Sequence, residues 1–496
     1  MTMRNVTVFP FLLVSLVSVS MIGACTSYTP EMQFIRDVGD ALGGADDIAD
    51  AQNLFLEGTG QEFRMGQNLR PSADLTYWDL DEYRREVDLE GYRWRVFQTR
   101  TSRYLTGNPV LRERQTIGLD GDVAYDISED GDVSRGTAQA ALDRRIAMFH
   151  HPMTLIRLAM DETSTIGSVR QEDGQDVVDV TSGDGETFSM YVDPETQTPT
   201  QIVSLSAHPN LGDVTLTTAF DNYEETGGLG GFQSRLLLPR RITSTVDDHV
   251  VLEITISSDY DRELDDFAAP ESAQAAAAPA FQASVEVIEV ADGVWQLGGQ
   301  SHHSVLVEFD EFLALIEAPQ HDARTLAVIQ AAREIQPEKP LQYLVNTHHH
   351  FDHSGGIRAA VSEGLTIVTH EINETFFQDI VARAHSRQPD ALQGNPQPLT
   401  MELVQGDDVY EITSGRRTLE VARITDDPHS ASNLVAYLPR ERLLVQADAF
   451  NPGSLMSPFA ENLLAVVNDR EWRVEQIVPI HGAVFEMSVL EELVGE

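Results

Sequence analysis

The first half of the chain shows the two-residue alternation of apolar and polar positions that is typical of β-strands. Residues 92–96 change character at every position, and residues 214–220 and 250–257 are rich in β-branched side chains. Glycine-containing turns such as Asp120-Gly121-Asp122 separate these runs. Residues 137–160 carry apolar side chains at helical spacing and predict one helix. The pattern indicates a mostly antiparallel β domain with few helices.

The second half of the chain alternates strand patterns with helix patterns. Residues 285–297, 304–316 and 341–345 have the composition of strands, and residues 323–335 have the apolar spacing of a helix. Such alternation predicts an α/β sandwich in which helices cover the sheets. The fold class predicted for the whole chain is therefore α+β.

The segment between the two halves has a different composition. Residues 267–283 read FAAPESAQAAAAPAFQA, which is rich in alanine and proline and uncharged apart from Glu271. This composition favours a linker. We therefore predict an N-terminal domain over residues 26–266, a linker over 267–283 and a C-terminal domain over 284–496.

The first 25 residues have the pattern of an export signal. Arg4 precedes an apolar run over residues 8–22, which is too short to span a bilayer of about 30 Å but suits a signal peptide. The run ends in Ile22-Gly23-Ala24-Cys25, which resembles a bacterial lipobox. The resemblance implies an exported protein, lipid-anchored through Cys25 at the periplasmic face of the outer membrane or at the cell surface. The alternative is an ordinary signal peptide with an incidental cysteine.

Charge and cysteine content exclude several classes of function. The chain has 34 basic and 79 acidic residues and a net charge of −45, which opposes binding to nucleic acid or to anionic lipid headgroups. Cys25 is the only cysteine, so the chain has neither an intrachain disulfide nor a cysteine-cluster metal site. We expect a small-molecule substrate, no nucleic acid partner, and membrane association through the lipid anchor only.

Histidines concentrate in the second half of the chain. The densest group is His348-His349-His350-Phe351-Asp352-His353, directly after the apolar strand 341–345. On an extended strand end His348 and His350 point to the same side, because side chains alternate. Imidazole and carboxylate groups in this number suit divalent zinc.

This motif resembles the HxHxDH signature of the metallo-β-lactamase superfamily. The later elements of that signature have counterparts at His429 before a strand, at Asp448 after one, and at His481, which Gly482 follows. Glu317 stands where relatives usually have an aspartate. The resemblance implies an αββα sandwich over residues 284–496.

The resemblance also implies a ligand set and a mechanism. One zinc would take His348, His350 and His429, the other would take Asp352, His353 and His481, and Asp448 would bridge the two; other divalent metals remain an alternative. A metal-bound hydroxide would attack an ester, thioester, lactone, lactam or phosphodiester, with Asp352 as the catalytic residue that relays a proton. His302 and His303 are expected at the mouth of the site, with substrate contact as one of two alternatives.

Iron-dependent sulfur dioxygenases use some of the same ligands and stay open as one alternative. Two further alternatives also stay open. The most familiar zinc β-lactamases have a cysteine where this chain has Asp448, so β-lactam hydrolysis is a second choice among hydrolases. The other alternative is an apolar-ligand or lipid-binding lipoprotein with an accessory metal domain, because residues 191–196 and 238–242 resemble the half-barrel of lipoprotein carriers. The sequence leaves the substrate and the oligomeric state open.

Overall fold

The computed structural model describes residues 28–103, 110–226, 235–262, 267–279, 284–299, 301–452 and 459–495. The predicted signal peptide and Cys25 lie outside these residues. Within them, no helix combines the length and the apolar character needed to cross a membrane.

The N-terminal domain is built on one large antiparallel sheet. Its central strands β1 (Asn53–Arg64) and β14 (His249–Tyr260) pair with each other, so the chain begins and ends the domain in the middle of the sheet. Within the described residues, the other strands are β2 (Thr76–Asp88), β3 (Arg93–Arg103), β4 (Arg112–Asp120), β5 (Val123–Ile127), β6 (Val133–Arg135), β7 (Thr165–Ile166), β8 (Arg170–Glu172), β9 (Gln175–Thr181), β10 (Thr187–Val192), β11 (Pro199–His208), β12 (Gly212–Glu225) and β13 (Leu237–Val246). From β1 the sheet continues through β2 to β6 on one side, and from β14 through β13 to β9 and β7 on the other, while β8 pairs with β9. The predicted antiparallel β domain is confirmed.

In the described part of the chain, four helices share a hydrophobic core with this sheet. Members of this core include Ile35, Leu54, Phe149, Ile156 and Phe188. They are α1 (Pro30–Ala41), α2 (Ala45–Asp50), α3 (Ala138–Phe149) and α4 (Pro152–Ala159). The prediction of one helix over residues 137–160 is wrong, because α3 and α4 are separate. Pro152 has no amide hydrogen and disfavours helical backbone at the residue before it, and His151 is extended with φ −146° and ψ 140°.

The alanine- and proline-rich segment contains a short helix, α5 (Glu271–Ala275). Ala269 and Ala273 are buried against Tyr125 of β5, and Arg135 of β6 donates to the carbonyl of Ala273 at 2.9 Å. This part of the segment therefore packs on the N-terminal domain. The assignment of residues 267–283 as a linker between two domains stays a prediction.

The C-terminal domain consists of two sheets packed face to face. The first contains β15 (Glu286–Ala291), β16 (Val294–Gly298), β17 (Ser304–Glu308), β18 (Leu313–Ile316), β19 (Leu341–Val345), β20 (Thr366–His370) and β21 (Thr400–Val404), in that order. The second contains β22 (Tyr410–Ser414), β23 (Arg417–Arg423), β24 (Leu434–Leu438), β25 (Leu443–Gln446), β26 (Gln476–Pro479) and β27 (Phe485–Glu486). Strands β18 to β21 run parallel, as do β25 and β26.

Helices cover the outer faces of both sheets. The helices of this domain are α6 (Asp322–Ile335), α7 (Phe351–Ser354), α8 (Ile357–Ser362), α9 (Glu374–Ala382), α10 (Ala391–Gly394), α11 (Ala460–Asp469) and α12 (Met487–Val494), with a 3-10 turn over Glu371–Asn373. One core lies between the sheets, a second lies under α6 and α8, and a third lies under α11 and α12. This layering confirms the predicted αββα sandwich and the α+β class of the whole chain.

The two halves of the chain are in direct contact. Arg383 forms an ion pair with Asp247 at 2.7 Å and donates to the carbonyl of Asp213 at 2.8 Å. Leu211 and Val214 of the N-terminal domain are buried in the core under α6 and α8. The contact brings the N-terminal domain to the side of the sandwich where the histidines lie.

Candidate metal centre

The candidate metal ligands lie where strands of the sandwich end or begin. His348, His350, Asp352 and His353 follow β19, and the last two of them open the short helix α7. His429 precedes β24, Asp448 follows β25 and His481 follows β26. Both sheets are buried, and the short loops at their strand ends carry the polar side chains. These loops bring side chains from four separate places in the sequence to one edge of the sandwich.

The first group contains His348, His350, His429 and Asp448. Their ligand atoms all lie within 4.8 Å of one another. The Nε2 atoms of His348 and His429 are 3.3 Å apart, and the Nε2 atom of His429 is 3.0 Å from Oδ2 of Asp448. These are the three histidines expected at one metal, together with the expected bridging carboxylate.

The second group contains His353, His481 and His302. Their ligand atoms also lie within 4.8 Å of one another, and the Nε2 atoms of His353 and His481 are 3.3 Å apart. Oδ2 of Asp352 is 3.3 Å from Nε2 of His302 and 3.8 Å from Nε2 of His353. His302 was expected at the mouth of the site; it lies instead among the residues expected at the second metal.

Asp448 lies between the two groups. Besides its contact with His429, its Oδ2 atom is 3.2 Å from Nε2 of His353, and its Oδ1 atom is 2.9 Å from Nε2 of His481. One carboxylate therefore contacts histidines of both groups. This is the position that a bridging ligand requires.

The donor set fits a metal such as zinc. Two nitrogens bound to one tetrahedral zinc at about 2.05 Å lie about 3.3 Å apart, which is the separation of both Nε2 pairs. Nδ1 of His350 is buried and has no hydrogen-bond partner among the described residues. Several histidine nitrogens converge here, and among the described residues none pairs with the buried Nδ1 atom of His350. A divalent cation would satisfy such an environment.

Hydrogen bonds from behind fix the histidine rings. Oε2 of Glu317 is 3.0 Å from Nδ1 of His353 and accepts from the hydroxyl of Thr347 at 2.6 Å. The carbonyl of Ser301 is 2.8 Å from Nδ1 of His481, so that nitrogen is the donor. With Nδ1 engaged in this way, Nε2 is the nitrogen of each ring that faces the site and can bind a metal. Glu317 therefore supplies the carboxylate that orients the ring of His353.

The charges of the site follow from burial and from these contacts. Burial lowers the pKa of His348 and of His350 well below the ordinary range, so both rings are neutral. Burial also lowers the pKa of His353, but Asp448 and Asp352 outweigh it and hold that pKa well above the ordinary range. Burial raises the pKa of Asp448, but His353 and His429 outweigh it and hold that pKa well below its usual range. A metal that binds His353 therefore displaces a proton.

His349 turns away from the two groups, as the alternation of side chains predicted. Its Nε2 atom donates to Oδ1 of Asn68 at 3.2 Å, and its ring contacts Phe376 edge-on. Burial lowers its pKa to about 3. On its far side lies a cavity of about 490 Å³, with Met65, Leu75 and Phe376 in its walls.

Sequence reasoning missed Gln67 and Asn68. Gln67 contacts Asp352 across 285 residues of sequence, and Asn68 contacts both His349 and His350. Both residues lie in the loop between β1 and β2 of the N-terminal domain. No local pattern marks them, since an isolated Gln-Asn pair in a polar loop has no distinctive spacing.

Part of this chain is similar to known proteins. Residues 297–458 match the family model of the metallo-β-lactamase superfamily. Three of the similar solved structures are a metallo-β-lactamase from Pontibacter korlensis (19% identity, TM-score 0.34), the metallo-β-lactamase FIM-1 from Pseudomonas aeruginosa in its mono-zinc form (21%, 0.32) and a metallo-β-lactamase from Hirschia baltica (18%, 0.33). Each match covers 42% of this chain, and 97%, 92% and 94% of the respective relative. No protein with a curated description matches the chain in sequence.

Proposed function

Since its C-terminal domain has the fold of the metallo-β-lactamase superfamily, we propose that this protein is a zinc-dependent hydrolase with two metal ions. The observation that carries the proposal is the position of Asp448 between two groups of histidines, in contact with His429 on one side and with His353 and His481 on the other. A structural zinc site closes with four ligands, whereas this set is larger and joined by a carboxylate.

The residues of the chain have separate tasks in this proposal. His348, His350, His429 and Asp448 would hold one ion, and Asp352, His353, His481 and Asp448 would hold the other. Bound zinc supplies Lewis acidity and an activated water. Asp352, whose side chain is 40% exposed, is the carboxylate that reaches solvent and so would pass a proton to the leaving group.

The substrate class follows from the ligands and the charge. Carboxylate-bridged relatives in this superfamily favour esters, thioesters, lactones and phosphodiesters, so we place these before β-lactams. A net charge of −45 disfavours RNA and DNA as substrates. We also propose that the protein is exported and lipid-anchored through Cys25, because the sequence over residues 22–25 resembles a lipobox.

Metal analysis together with hydrolysis of chromogenic esters, lactones, lactams and phosphodiesters tests the proposal. We expect two zinc ions per chain and hydrolysis that a chelator abolishes. Asp352→Ala removes an anionic ligand from one site only, so that variant should keep about one zinc and lose nearly all hydrolysis. The surface variant Asp292→Ala should keep the zinc content and the hydrolysis of the wild type. His429→Ala should weaken the other site. A wild type with one zinc, together with an active Asp352→Ala, would exclude the two-metal hydrolase.

A further inference from the structure

The loop between β1 and β2 of the N-terminal domain reaches the candidate metal centre. The carbonyl of Gly66 accepts from the amide of Phe351 at 3.2 Å, and the carbonyl of Leu69 accepts from the amide of Ala431 at 2.8 Å. The loop is thereby hydrogen-bonded to the segments that carry His350 and His429. The loop therefore packs against the candidate metal centre although it does not belong to the C-terminal sandwich.

Asn68 determines which nitrogen of His350 can bind a metal. The backbone carbonyl of Asn68 is 3.0 Å from Nε2 of His350. A carbonyl only accepts, so Nε2 carries the proton, and a neutral ring then has its lone pair on Nδ1. Nδ1 of His350 is the buried atom that has no partner among the described residues. The contact with Asn68 therefore directs the ligand nitrogen of His350 into the first group.

Gln67 determines which oxygen of Asp352 faces the histidines of the second group. Its Nε2 atom donates to Oδ1 of Asp352 at 3.0 Å. With Oδ1 engaged, Oδ2 is the oxygen that faces His302 at 3.3 Å and His353 at 3.8 Å. Two consecutive residues of the loop thus contact His350 of the first group and Asp352, which lies beside the second group.

The loop is built to hold this position. The side chain of Asn68 is buried and donates to the carbonyls of Pro71 at 3.3 Å and Ala73 at 3.0 Å, which closes the loop on itself. Gly66 has φ +67°, and a Cβ atom there would lie 2.3 Å from the ring of Phe351. Only glycine allows so close an approach to α7.

We propose that Gln67 and Asn68 are positioning residues of the metal centre, so that the N-terminal domain completes a site whose ligands all come from the C-terminal domain. The inference rests on the proposed metal binding. Hydrogen-bond partners of metal ligands typically contribute about 10- to 100-fold to metal affinity. We expect contributions of that size from a loop that belongs to a different domain.

The test uses full-length variants loaded with zinc or with cobalt. Gln67→Met keeps the length of the side chain and removes its donor, and Asn68→Ala opens the loop. Gln61→Met is the matched control, because Gln61 of β1 donates in the same way to Asp79 of β2 at 3.2 Å. Zinc dissociation constants are measured by competition with a chromogenic chelator, and ligand geometry is followed in the visible spectrum of the cobalt form.

We expect Gln67→Met to lower the affinity for one of the two zinc ions about 10- to 100-fold and Asn68→Ala to lower the affinity for the other. Each variant should also have an altered cobalt spectrum. Gln61→Met should match the wild type in both measurements. Wild-type affinities and spectra in both variants would overturn the inference while leaving the metal centre intact. A wild type that binds no metal would overturn the proposed function itself. If Asn68→Ala fails to fold, Gln67→Met, which changes a single donor, decides the question.

Discussion

Replacing Glu317 with glutamine tests whether a buried carboxylate behind the site controls its metal affinity. The two oxygens of Glu317 accept from Asn346 Nδ2 at 3.1 Å, from the amide and the hydroxyl of Thr347 at 3.4 and 2.6 Å, and from His353 Nδ1 at 3.0 Å. Glu317 itself is fully buried, so water cannot replace these contacts. Glu317→Gln keeps the shape of the side chain and exchanges one acceptor oxygen for a donor.

Neither orientation of the new amide satisfies all of its neighbours. An amide nitrogen at the position of Oε2 faces Nδ1 of His353, which then has to give up its proton and place it on Nε2, the atom that should bind the metal. An amide nitrogen at the position of Oε1 faces two donors, the side chain of Asn346 and the amide of Thr347. Loss of such a contact typically costs about 10- to 100-fold in metal affinity, or about 1.4 to 2.7 kcal/mol.

Chelator competition measures this effect directly. In the proposed two-zinc centre, we expect Glu317→Gln to weaken zinc binding at His353 about 10- to 100-fold and to leave zinc binding at His348 nearly unchanged. Glu308→Gln is the matched control, because Glu308 binds Lys339 at 2.6 Å in the same domain, away from the centre. Equal zinc affinities in Glu317→Gln, Glu308→Gln and the wild type would refute the reasoning.

Two further predictions concern the N-terminal domain and the anchor. Burial lowers the pKa of His150 to about 3, whereas the pKa of a histidine in the unfolded chain is near 6.5. Between these pH values the unfolded chain binds more protons than the folded protein. The contribution of neutral His150 to the stability of the fold is therefore complete above pH 6.5 and falls as the pH is lowered toward 3. The free energy of unfolding, measured with urea, should therefore fall by about 2 kcal/mol between pH 7 and pH 5 through this one residue. In His150→Gln this part of the decrease should be missing. An unchanged pH dependence in the variant would contradict the burial argument. Cys25→Ala should abolish incorporation of a fatty-acid analogue in cells, and equal labelling of the wild type and the variant would disprove the lipobox interpretation.

Local sequence patterns were enough for the layered architecture, and the resemblance to the metallo-β-lactamase signature supplied the candidate ligands. Strand alternation and helical spacing reflect which face of an element is buried, and this is a property of a few consecutive residues. The motif at His348 to His353 stands directly after a buried strand, so its placement at an edge of the sheet follows from the chain itself. Pro152 also carried enough information to divide the helix predicted over residues 137–160, because a proline inside a helical pattern interrupts it.

Tertiary structure alone decided what surrounds those ligands. His302 joins the second group because the loop after β16 folds over the end of β26, where the amide of His303 donates to the carbonyl of Ile480 at 2.8 Å. Gln67 and Asn68 reach the centre because the N-terminal domain docks on the sandwich through contacts such as the ion pair of Arg383 with Asp247. Contacts between residues almost 300 positions apart depend on how two surfaces fit together, and no periodicity in the chain records that fit.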